Sequence, residues 1–242
     1  LGGSLGRDAA TGRGVVIVIE EAARTLALPL EGATAAIQGF GNVGSWAARI
    51  FHDLGCRIVA VSNAAGAIRS DAGIDPHKLY AHTAGGGDLA GFEGVDPISA
   101  DELLSTPCEV FVPAALGGMI HQENADLLDC RMIIEGANSP TTPAADEILS
   151  GKGVFVVPDV LANAGGVVVS YFEWVQNLQH FRWDEAEVNE RLGRIMRRAY
   201  GEVAQRAEAD QVPLRIAAYE LGIERVLDAA RTRGYISDGA GN

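Results

Sequence analysis

The chain has 242 residues, of which 48% are hydrophobic, and a formal net charge of −13. A chain of this size can form one sizeable core, or one domain with helices appended to it. The acidic balance and the lack of a run of basic residues argue against nucleic acid as a partner. No apolar stretch approaches the length of a membrane span, so we expect no membrane partner either.

Three cysteines, Cys56, Cys108 and Cys130, lie far apart in the sequence. Their spacing fits neither a disulfide framework nor a zinc site, so we expect small buried side chains beside strands and no metal. Unpaired cysteines and the lack of a signal peptide favour a cytoplasmic location. The chain begins at Leu1 without an initiator Met, which indicates an internal starting point.

The first predicted element is a leading helix over residues 8–28, which Pro29 ends. Its apolar positions recur at helical spacing. Gly12 and Gly14 lie near its start, where each glycine costs about 1 kcal/mol relative to alanine. Two glycines at such a place indicate that another backbone or a ligand comes close.

The segment that follows predicts a dinucleotide site. A strand over 33–38 leads into Gly39-Phe40-Gly41-Asn42-Val43-Gly44, then into a helix over 45–54 and a second strand over 57–61. In this context a G-x-G-x-x-G turn is a strong signal. The first glycine permits the tight turn, the second admits a pyrophosphate to the backbone, and the third lets the helix pack closely.

The acidic residue that holds the ribose of NAD in such folds is absent. Ser62 and Asn63 stand where the second strand ends, and Asn63 does not repel the 2′-phosphate of NADP. Arg69 is a candidate partner for that phosphate. The nucleotide can therefore be NAD, NADP or either. Asn63 can equally serve only the turn that follows the strand.

Strands and helices alternate through the middle of the chain. Short strands are predicted over 67–70, 108–112, 132–135 and 154–157, and helical segments over 75–80, 101–105, 122–128 and 143–150. This alternation predicts an α/β fold: a Rossmann-like, doubly wound, mostly parallel sheet with helices on both faces. The loops after its strands should meet on one rim, where ligands bind.

The last third is helical. A long helix over 161–181 is interrupted at Gly165-Gly166, an amphipathic helix covers 183–210, and a final helix runs from Pro213 to about Arg233. We therefore expect a nucleotide-binding domain over 1–182 and, over 183–242, helices that pack on it. The tail over 237–242 is expected to fray.

These motifs together resemble the cofactor-binding half of a glutamate dehydrogenase, within the glutamate/leucine/phenylalanine/valine dehydrogenase superfamily. The resemblance covers the whole chain, and the motifs are specific only in combination. They are Gly2-Gly3-Ser4 with Arg7, Ala10-Thr11-Gly12, Gly39–Gly44, Pro113-Ala114-Ala115, Glu135-Gly136-Ala137-Asn138, Pro158-Asp159, Asn163-Ala164-Gly165-Gly166, Ser170-Tyr171-Phe172-Glu173-Trp174 with Gln176-Asn177, and Arg215–Arg225.

The resemblance implies roles around the nicotinamide. Thr11 corresponds to a threonine beside the ring, with Arg7 near it. Asn138 corresponds to the asparagine on the nicotinamide ribose, and Asn163 to the one that fixes the carboxamide. The residues alone leave an alternative open for Asn163, which can be a helix cap.

The resemblance also implies roles at the two ends of the site. Ala114 and Ala115 correspond to the strand-end pair beside the adenosine and its ribose. Val167 and Ser170 correspond to the pair that faces the substrate, with the serine hydroxyl on the substrate's side-chain carboxylate. From the sequence alone, Ser170 can instead bond the carbonyl four residues earlier in its helix.

No catalytic residue is expected in this chain. The family's reaction needs a lysine of lowered pKa and an aspartate, and the resemblance assigns both to a preceding substrate domain. Lys78 and Lys152 are predicted to be surface residues away from the cofactor.

The expected activity of the intact protein is oxidative deamination of L-glutamate to 2-oxoglutarate and ammonia, and its reverse, in a homo-hexamer by family resemblance. Another amino-acid dehydrogenase of the superfamily is an alternative, and so is a catalytically silent nucleotide-binding module. A preceding domain with a lysine in a Gly-rich motif favours the enzyme.

Overall fold

A computed structural model describes residues 2–236, so the predicted frayed tail lies outside the described residues. The strands are β1 Thr34–Gln38, β2 Arg57–Asn63, β3 Gly66–Ile74, β4 Asp96–Ile98, β5 Cys108–Pro113, β6 Cys130–Ile134 and β7 Phe155–Val157. The helices are α1 Ala10–Thr25, α2 Asn42–Asp53, α3 Pro76–Ala84, α4 Ala100–Leu104, α5 Pro143–Gly151, α6 Asp159–Ala162, α7 Gly165–Gln179, α8 Glu185–Asp210 and α9 Leu214–Thr232.

The seven described strands form one sheet in the order β4-β3-β2-β1-β5-β6-β7. Strands β2, β1, β5, β6 and β7 are parallel, whereas β3 and β4 extend the sheet in antiparallel fashion beyond β2. The prediction of a mostly parallel, doubly wound sheet is confirmed. The order reverses between β1 and β5, which makes the carboxyl ends of these two strands the topological switch point.

Three elements differ from the sequence-based expectation. Strand β3 begins one residue before the predicted strand at 67–70 and runs four residues beyond it, to Ile74. Strand β4 is not predicted by the sequence because it has three residues and contains Pro97, which is tolerated only at a sheet edge. The predicted helix at 122–128 is wrong: the structure has only a 3-10 turn over Ala125–Leu127.

Helix α1 is the centre of the helical layer. It starts at Ala10 and ends at Thr25, inside the predicted range, and five consecutive residues, Val15 to Ile19, are buried. Burial on every side means that α1 packs between the sheet and helices α2, α7 and α8 rather than on the surface.

The two early glycines of α1 allow backbones to approach, as the sequence indicates. A Cβ at Gly12 would lie 2.6 Å from the Trp46 Cβ and 2.7 Å from the Ala47 nitrogen of α2. A Cβ at Gly14 would lie 3.0 Å from the Cα of Gly165 in α7. Because no side chain separates these helices at the two contacts, their spacing is fixed by the backbones themselves.

Helices α8 and α9 complete the core. Val188, Leu192 and Met196 of α8 are buried in one cluster with α1 and with one face of the sheet. Asp184 caps α8 by accepting a hydrogen bond from the Glu187 amide at 2.7 Å. Gly234 has a left-handed backbone (φ 72°) just after α9, the conformation expected of a helix-ending glycine.

The division of the chain into two parts at residue 182 stays a prediction.

The cysteines behave as core residues. Cys108 and Cys130 are register partners on β5 and β6, and Cys56 is buried just before β2. Burial raises the pKa of Cys56 and of Cys130 to about 12, so both thiols stay protonated at neutral pH. None of the helices in the described part of the chain is long and apolar enough to cross a membrane.

Replacing Gly12 by Ala tests the close helix contact. The new methyl group would overlap backbone atoms of α2, which cannot rotate away. We therefore expect the free energy of unfolding to fall by about 1–3 kcal/mol. Gly201→Ala on α8 is the control, because a Cβ there meets open space; it should be neutral or stabilising by about 0.5–1 kcal/mol. Urea unfolding followed by circular dichroism measures both, and a Gly12→Ala variant as stable as the parent would contradict the packing argument.

Candidate functional site

Loops from neighbouring strands meet at the carboxyl edge of the sheet, as predicted. The Gly39 amide donates to the Ser62 carbonyl at 3.0 Å, and the Ala114 amide donates to the Gln38 carbonyl at 2.7 Å. The Gly136 amide in turn donates to the Pro113 carbonyl at 3.0 Å. The chain after each strand is thereby held against the end of the next strand, and the loops form one continuous rim.

The glycine turn after β1 has the geometry that its sequence indicates. Gly39 has a left-handed backbone (φ 101°), and a Cβ there would lie 2.7 Å from the Ala115 nitrogen. A Cβ at Gly44 would overlap the Gly39 carbonyl oxygen. Both positions therefore need glycine for the fold itself. Gly41 differs, because a Cβ there meets nothing within 4 Å in the described structure.

The N-terminus of α2 is available to an anion. Gly41 is the N-cap residue and no side chain caps the helix among the described residues. The first hydrogen bond of this helix is made by the Ser45 amide, so the amides of the preceding turn are free to bind a ligand. Free amides and the positive end of the helix dipole are the usual phosphate-binding arrangement.

A cleft of about 630 Å³ adjoins this turn. Its lining comes from the start of the chain, α2, the loops after β5 and β6, and the start of α7. The lining residues are Arg7, Thr11, Val43, Ala114, Ala115, Leu116, Gly117, Gly136, Ala137, Asn138, Asn163, Gly166, Val167 and Ser170. Nine predicted site residues are among them. The other seven, Gly39, Phe40, Gly41, Asn42, Gly44, Ser62 and Asn63, belong to the β1–α2 turn and the end of β2.

The start of the chain is held on α7, which explains how Arg7 reaches the cleft. The Ser4 amide donates to the Glu173 carboxylate at 3.0 Å, and the Gln176 amide group donates to the Ser4 hydroxyl at 2.9 Å. Among the described residues that line the cleft, Arg7 is the one charged side chain.

Thr11 projects from α1 towards Gly166 of α7. A Cβ at Gly166 would overlap the Thr11 hydroxyl, so the glycine leaves room for the threonine side chain. The Asn42 side-chain amide also donates to the Asp8 carbonyl at 3.0 Å, which ties the glycine turn to the start of α1. The predicted residues of α1 and of the turn thus share one wall of the cleft.

Asn138 and Asn163 contact each other across the cleft floor. The Asn163 side-chain amide donates to the Asn138 side-chain oxygen at 2.7 Å. Asn163 is the C-cap residue of α6, and its side chain does not cap α7, whose N-cap is Ala164 without a side-chain hydrogen bond. The cap alternative therefore holds for the backbone of Asn163, while its side chain bonds Asn138.

Ser170 and Val167 lie at the mouth of the cleft. The Ser170 hydroxyl donates to the Gly166 carbonyl at 3.0 Å, four residues earlier in α7, which is the local bond that the sequence left open. Ser170 still lines the cleft, and its oxygen keeps lone pairs that can accept a hydrogen bond. Val167 is 69% exposed.

The end of β2 combines two roles. The Ser62 hydroxyl accepts from the Gly39 amide at 3.2 Å, and the Asn63 side-chain oxygen accepts from the amides of Ala65 and Gly66 at 2.8 and 3.2 Å. Asn63 thus makes the hydrogen bonds of the turn, which is the alternative role that the sequence allows. Its side chain is exposed, and the amide group of that side chain donates no hydrogen bond within the described residues. Arg69 is already paired with Asp71, with 2.9 Å between Nε and Oδ1.

Neither lysine lies in the cleft. The Lys152 ammonium donates to the Asp126 and Leu128 carbonyls at 2.6 and 2.9 Å, just ahead of β6 and so at the edge opposite the cleft. The Lys78 side chain is 77% exposed and lies 3.4 Å from the Asp75 carboxylate. Within residues 2–236 no cluster of three or more metal-ligating side chains occurs.

The sequence interpretation missed residues beneath the cleft. Glu135, at the end of β6, is fully buried, and its carboxylate accepts from Arg215 of α9 at 2.8 and 2.9 Å. Arg215 also donates to Asp146. Burial alone lowers the pKa of the Arg215 guanidinium, but its bonds to Glu135 and Asp146 outweigh burial and raise that pKa. A carboxylate directly after a buried strand indicates that a positively charged side chain lies beside it, but the sequence does not indicate which residue carries that charge.

Comparisons with known proteins assign the family. A family model described as Glutamate/Leucine/Phenylalanine/Valine dehydrogenase matches residues 2–234. The chain belongs to this dehydrogenase family. It is 45% identical over 236 residues to the NAD-specific glutamate dehydrogenase of Staphylococcus aureus (strain COL), covering 97% of this chain and 56% of that protein.

Solved structures agree with this assignment. The hetero-hexameric glutamate dehydrogenase from Thermus thermophilus (Leu bound form) superposes with a TM-score of 0.91 at 37% identity, over 98% of this chain and 56% of that one. Plasmodium falciparum glutamate dehydrogenase gives 0.88 at 26% identity, over 96% and 53%. The chain therefore spans about half the length of the relatives that it matches, and the resemblance drawn from the motifs is confirmed.

Gly41→Val tests the phosphate position of this dehydrogenase domain. The open space above Gly41 accepts the valine side chain without disturbing the fold. The same side chain would occupy the volume of a pyrophosphate, so NADH affinity should fall about tenfold or more. Gly222→Val, where a Cβ also meets open space, is the matched control and should bind as the parent does. Fluorescence titration measures both, and equal binding by all three proteins would exclude a dinucleotide at this turn.

Asn63→Asp tests the ribose position. Aspartate keeps the oxygen that accepts the turn bonds and replaces the amide group with a second, negatively charged oxygen, which can still accept from ribose hydroxyls. Repulsion of the 2′-phosphate should weaken NADPH binding roughly three- to tenfold and leave NADH binding nearly unchanged. Equal losses for both nucleotides would show that Asn63 does not face the ribose.

Proposed function

We propose that this chain is the NAD(P)-binding part of a glutamate dehydrogenase, which oxidises L-glutamate to 2-oxoglutarate and ammonia and catalyses the reverse reaction. One observation carries the proposal: the uncapped N-terminus of α2 opens beside Gly41, at the switch point of the sheet and next to the cleft. The residues fit a dinucleotide because Gly41 alone in the turn leaves unfilled space.

The two ends of the nucleotide have distinct surroundings in this proposal. The amides at the start of α2 hold the pyrophosphate, and Ala114 and Ala115 lie against the adenosine half. The nicotinamide half extends towards Thr11, Asn138 and Asn163, whose hydroxyl and amide groups can bind its ribose and carboxamide. When bound, the nicotinamide accepts or donates the hydride of the reaction.

The substrate side is only half present in the described residues. Val167 and Ser170 line the cleft. An exposed face with large apolar side chains continues along the chain, with Tyr171, Trp174 and Leu178 on α7 and Phe181 two residues after its end. We propose that the substrate domain of the whole protein packs over this face. Its lysine and aspartate would complete the site, and the Ser170 hydroxyl would turn from the Gly166 carbonyl to donate to the substrate's side-chain carboxylate.

The assembly and compartment are also proposals. We expect the whole protein to form a homo-hexamer, in line with the hexameric Thermus thermophilus relative. The three free cysteines favour the cytoplasm.

Titration of the chain with NADH and NADPH, followed by nicotinamide fluorescence, tests the proposed function directly. Saturable binding of at least one nucleotide, competed by the oxidised form, supports it. Lack of binding by a well-folded preparation would refute it.

The chain alone should bind the cofactor but not turn over. Oxidation of an amino acid needs a base for its ammonium group and an activator for the water that hydrolyses the imine. The described lining offers Arg7 and neutral side chains, and both lysines lie elsewhere. One wall also cannot hold the two reacting carbons at about 3–3.5 Å in a closed site.

The assay mixes the chain with glutamate and NAD or NADP at saturating concentrations. No growth of the reduced-nicotinamide absorbance is expected, while a full-length glutamate dehydrogenase under the same conditions provides the positive control. Steady turnover by a preparation free of full-length enzyme would mean that a catalytic base lies within these 242 residues.

A further inference from the structure

We propose that Arg215 of α9 is a positioning residue for the nicotinamide half of the site, acting through Glu135 and Asp159 on the Asn138–Asn163 pair. The proposal rests on the proposed function for the identity of the ligand. Its basis is a continuous chain of hydrogen bonds that leads from the terminal helix to the cleft floor.

The first link joins α9 to the sheet. Glu135 is fully buried, and its two oxygens accept from the two terminal nitrogens of Arg215 at 2.8 and 2.9 Å. Arg215 also donates to Asp146 from Nε and from one terminal nitrogen, and its other terminal nitrogen lies 3.8 Å from the Asp159 carboxylate. A planar guanidinium can serve two carboxylates in this way, whereas an ammonium cannot. Loss of Arg215 would leave a buried charge without its partner.

The second link carries the contact from Glu135 to Asp159. The carboxylate oxygen of Glu135 that accepts from Arg215 at 2.9 Å also accepts from the Asp159 amide at 2.8 Å. The start of α6 is thereby fixed by the same carboxylate that holds α9. Glu135 can keep this buried position only while the positive charge of Arg215 balances its negative charge.

The third link reaches both asparagines. The Asp159 carboxylate accepts from the Ser139 amide at 2.7 Å, and Ser139 has a left-handed backbone (φ 46°), which a serine rarely adopts without support. Ser139 directly follows Asn138. The Asp159 carbonyl accepts from the backbone amide of Asn163 at 3.0 Å. One residue therefore anchors the backbone on both sides of the Asn138–Asn163 bond.

The glycine turn, which would hold the pyrophosphate, has separate supports. The glycine turn is held by Ser62 and by the bond from Asn42 to Asp8, neither of which touches the Arg215 chain. A change at Arg215 should therefore affect the nicotinamide half selectively. A residue that only stabilises the fold would not distinguish the two halves.

The test compares the affinities of Arg215→Met for NADH and for ADP, which lacks the nicotinamide half. The dissociation constant for NADH should rise about tenfold, since the Asn138–Asn163 pair loses its anchor, while that for ADP stays within about twofold. Arg225→Met is the matched control on the same helix, because the Arg225 side chain is 63% exposed and pairs with Glu202. Its two dissociation constants should equal those of the parent.

Asn138→Ala completes a double-variant cycle. If Arg215 acts through Asn138, the variant that combines Arg215→Met with Asn138→Ala should bind NADH no more weakly than whichever single variant has the lower affinity for NADH. Asp159→Ala is the second probe, since it removes the acceptor of the Ser139 amide and leaves the Arg215–Glu135 pair in place; it should show the same selective loss of NADH affinity if Arg215→Met does not fold.

The outcomes separate the two proposals. A parent chain that binds neither nucleotide refutes the proposed function. A parent that binds both, with variants whose NADH and ADP affinities fall equally or not at all, refutes the positioning role and leaves the nucleotide site intact. Selective loss for NADH at Arg215 and Asp159, with non-additivity at Asn138, supports it.

Discussion

The close approach of α1 to α2 and α7 is the constraint on which the site depends. Gly12 brings α1 to the backbone of α2, and Gly14 brings it to Gly165 of α7. Side chains at these positions would push the helices apart and change the shape of the cleft that they line. Three segments distant in sequence, the start of the chain, the glycine turn and the start of α7, therefore converge because glycines let the helices meet and because hydrogen bonds from Ser4 and Asn42 hold the segments in place.

The parts of the fold that could be predicted are those that local sequence determines. The strand, glycine turn, helix and strand up to Asn63 appear as expected, since the turn is determined by its own residues: a Cβ at Gly44 would overlap the Gly39 carbonyl oxygen. The mostly parallel sheet followed from alternation of elements. Strand β4 could not be predicted, because a three-residue edge strand with Pro97 has no pattern of its own and forms only where β3 offers it a partner.

The candidate site likewise has a part that local sequence determines and a part that depends on residues distant in sequence. Residues in motifs, such as Thr11 and Asn138, come together at the cleft as expected. The support beneath them was not predictable, because Glu135 and Arg215 are 80 residues apart and no periodicity links them. Ser170 shows how a local bond competes with function: its one hydroxyl proton goes to the Gly166 carbonyl and would have to leave it to bind a carboxylate, which can only accept.

Both edges of the sheet are short. Strand β4 at one edge has three residues including Pro97, and β7 at the other edge also has three. Among the described strands, β4 and β7 are too short by themselves to pair extensively with a strand of another molecule, which is the usual route to sheet polymerisation. The two edge strands thus act against the end-to-end growth of the sheet from one copy of the chain to the next.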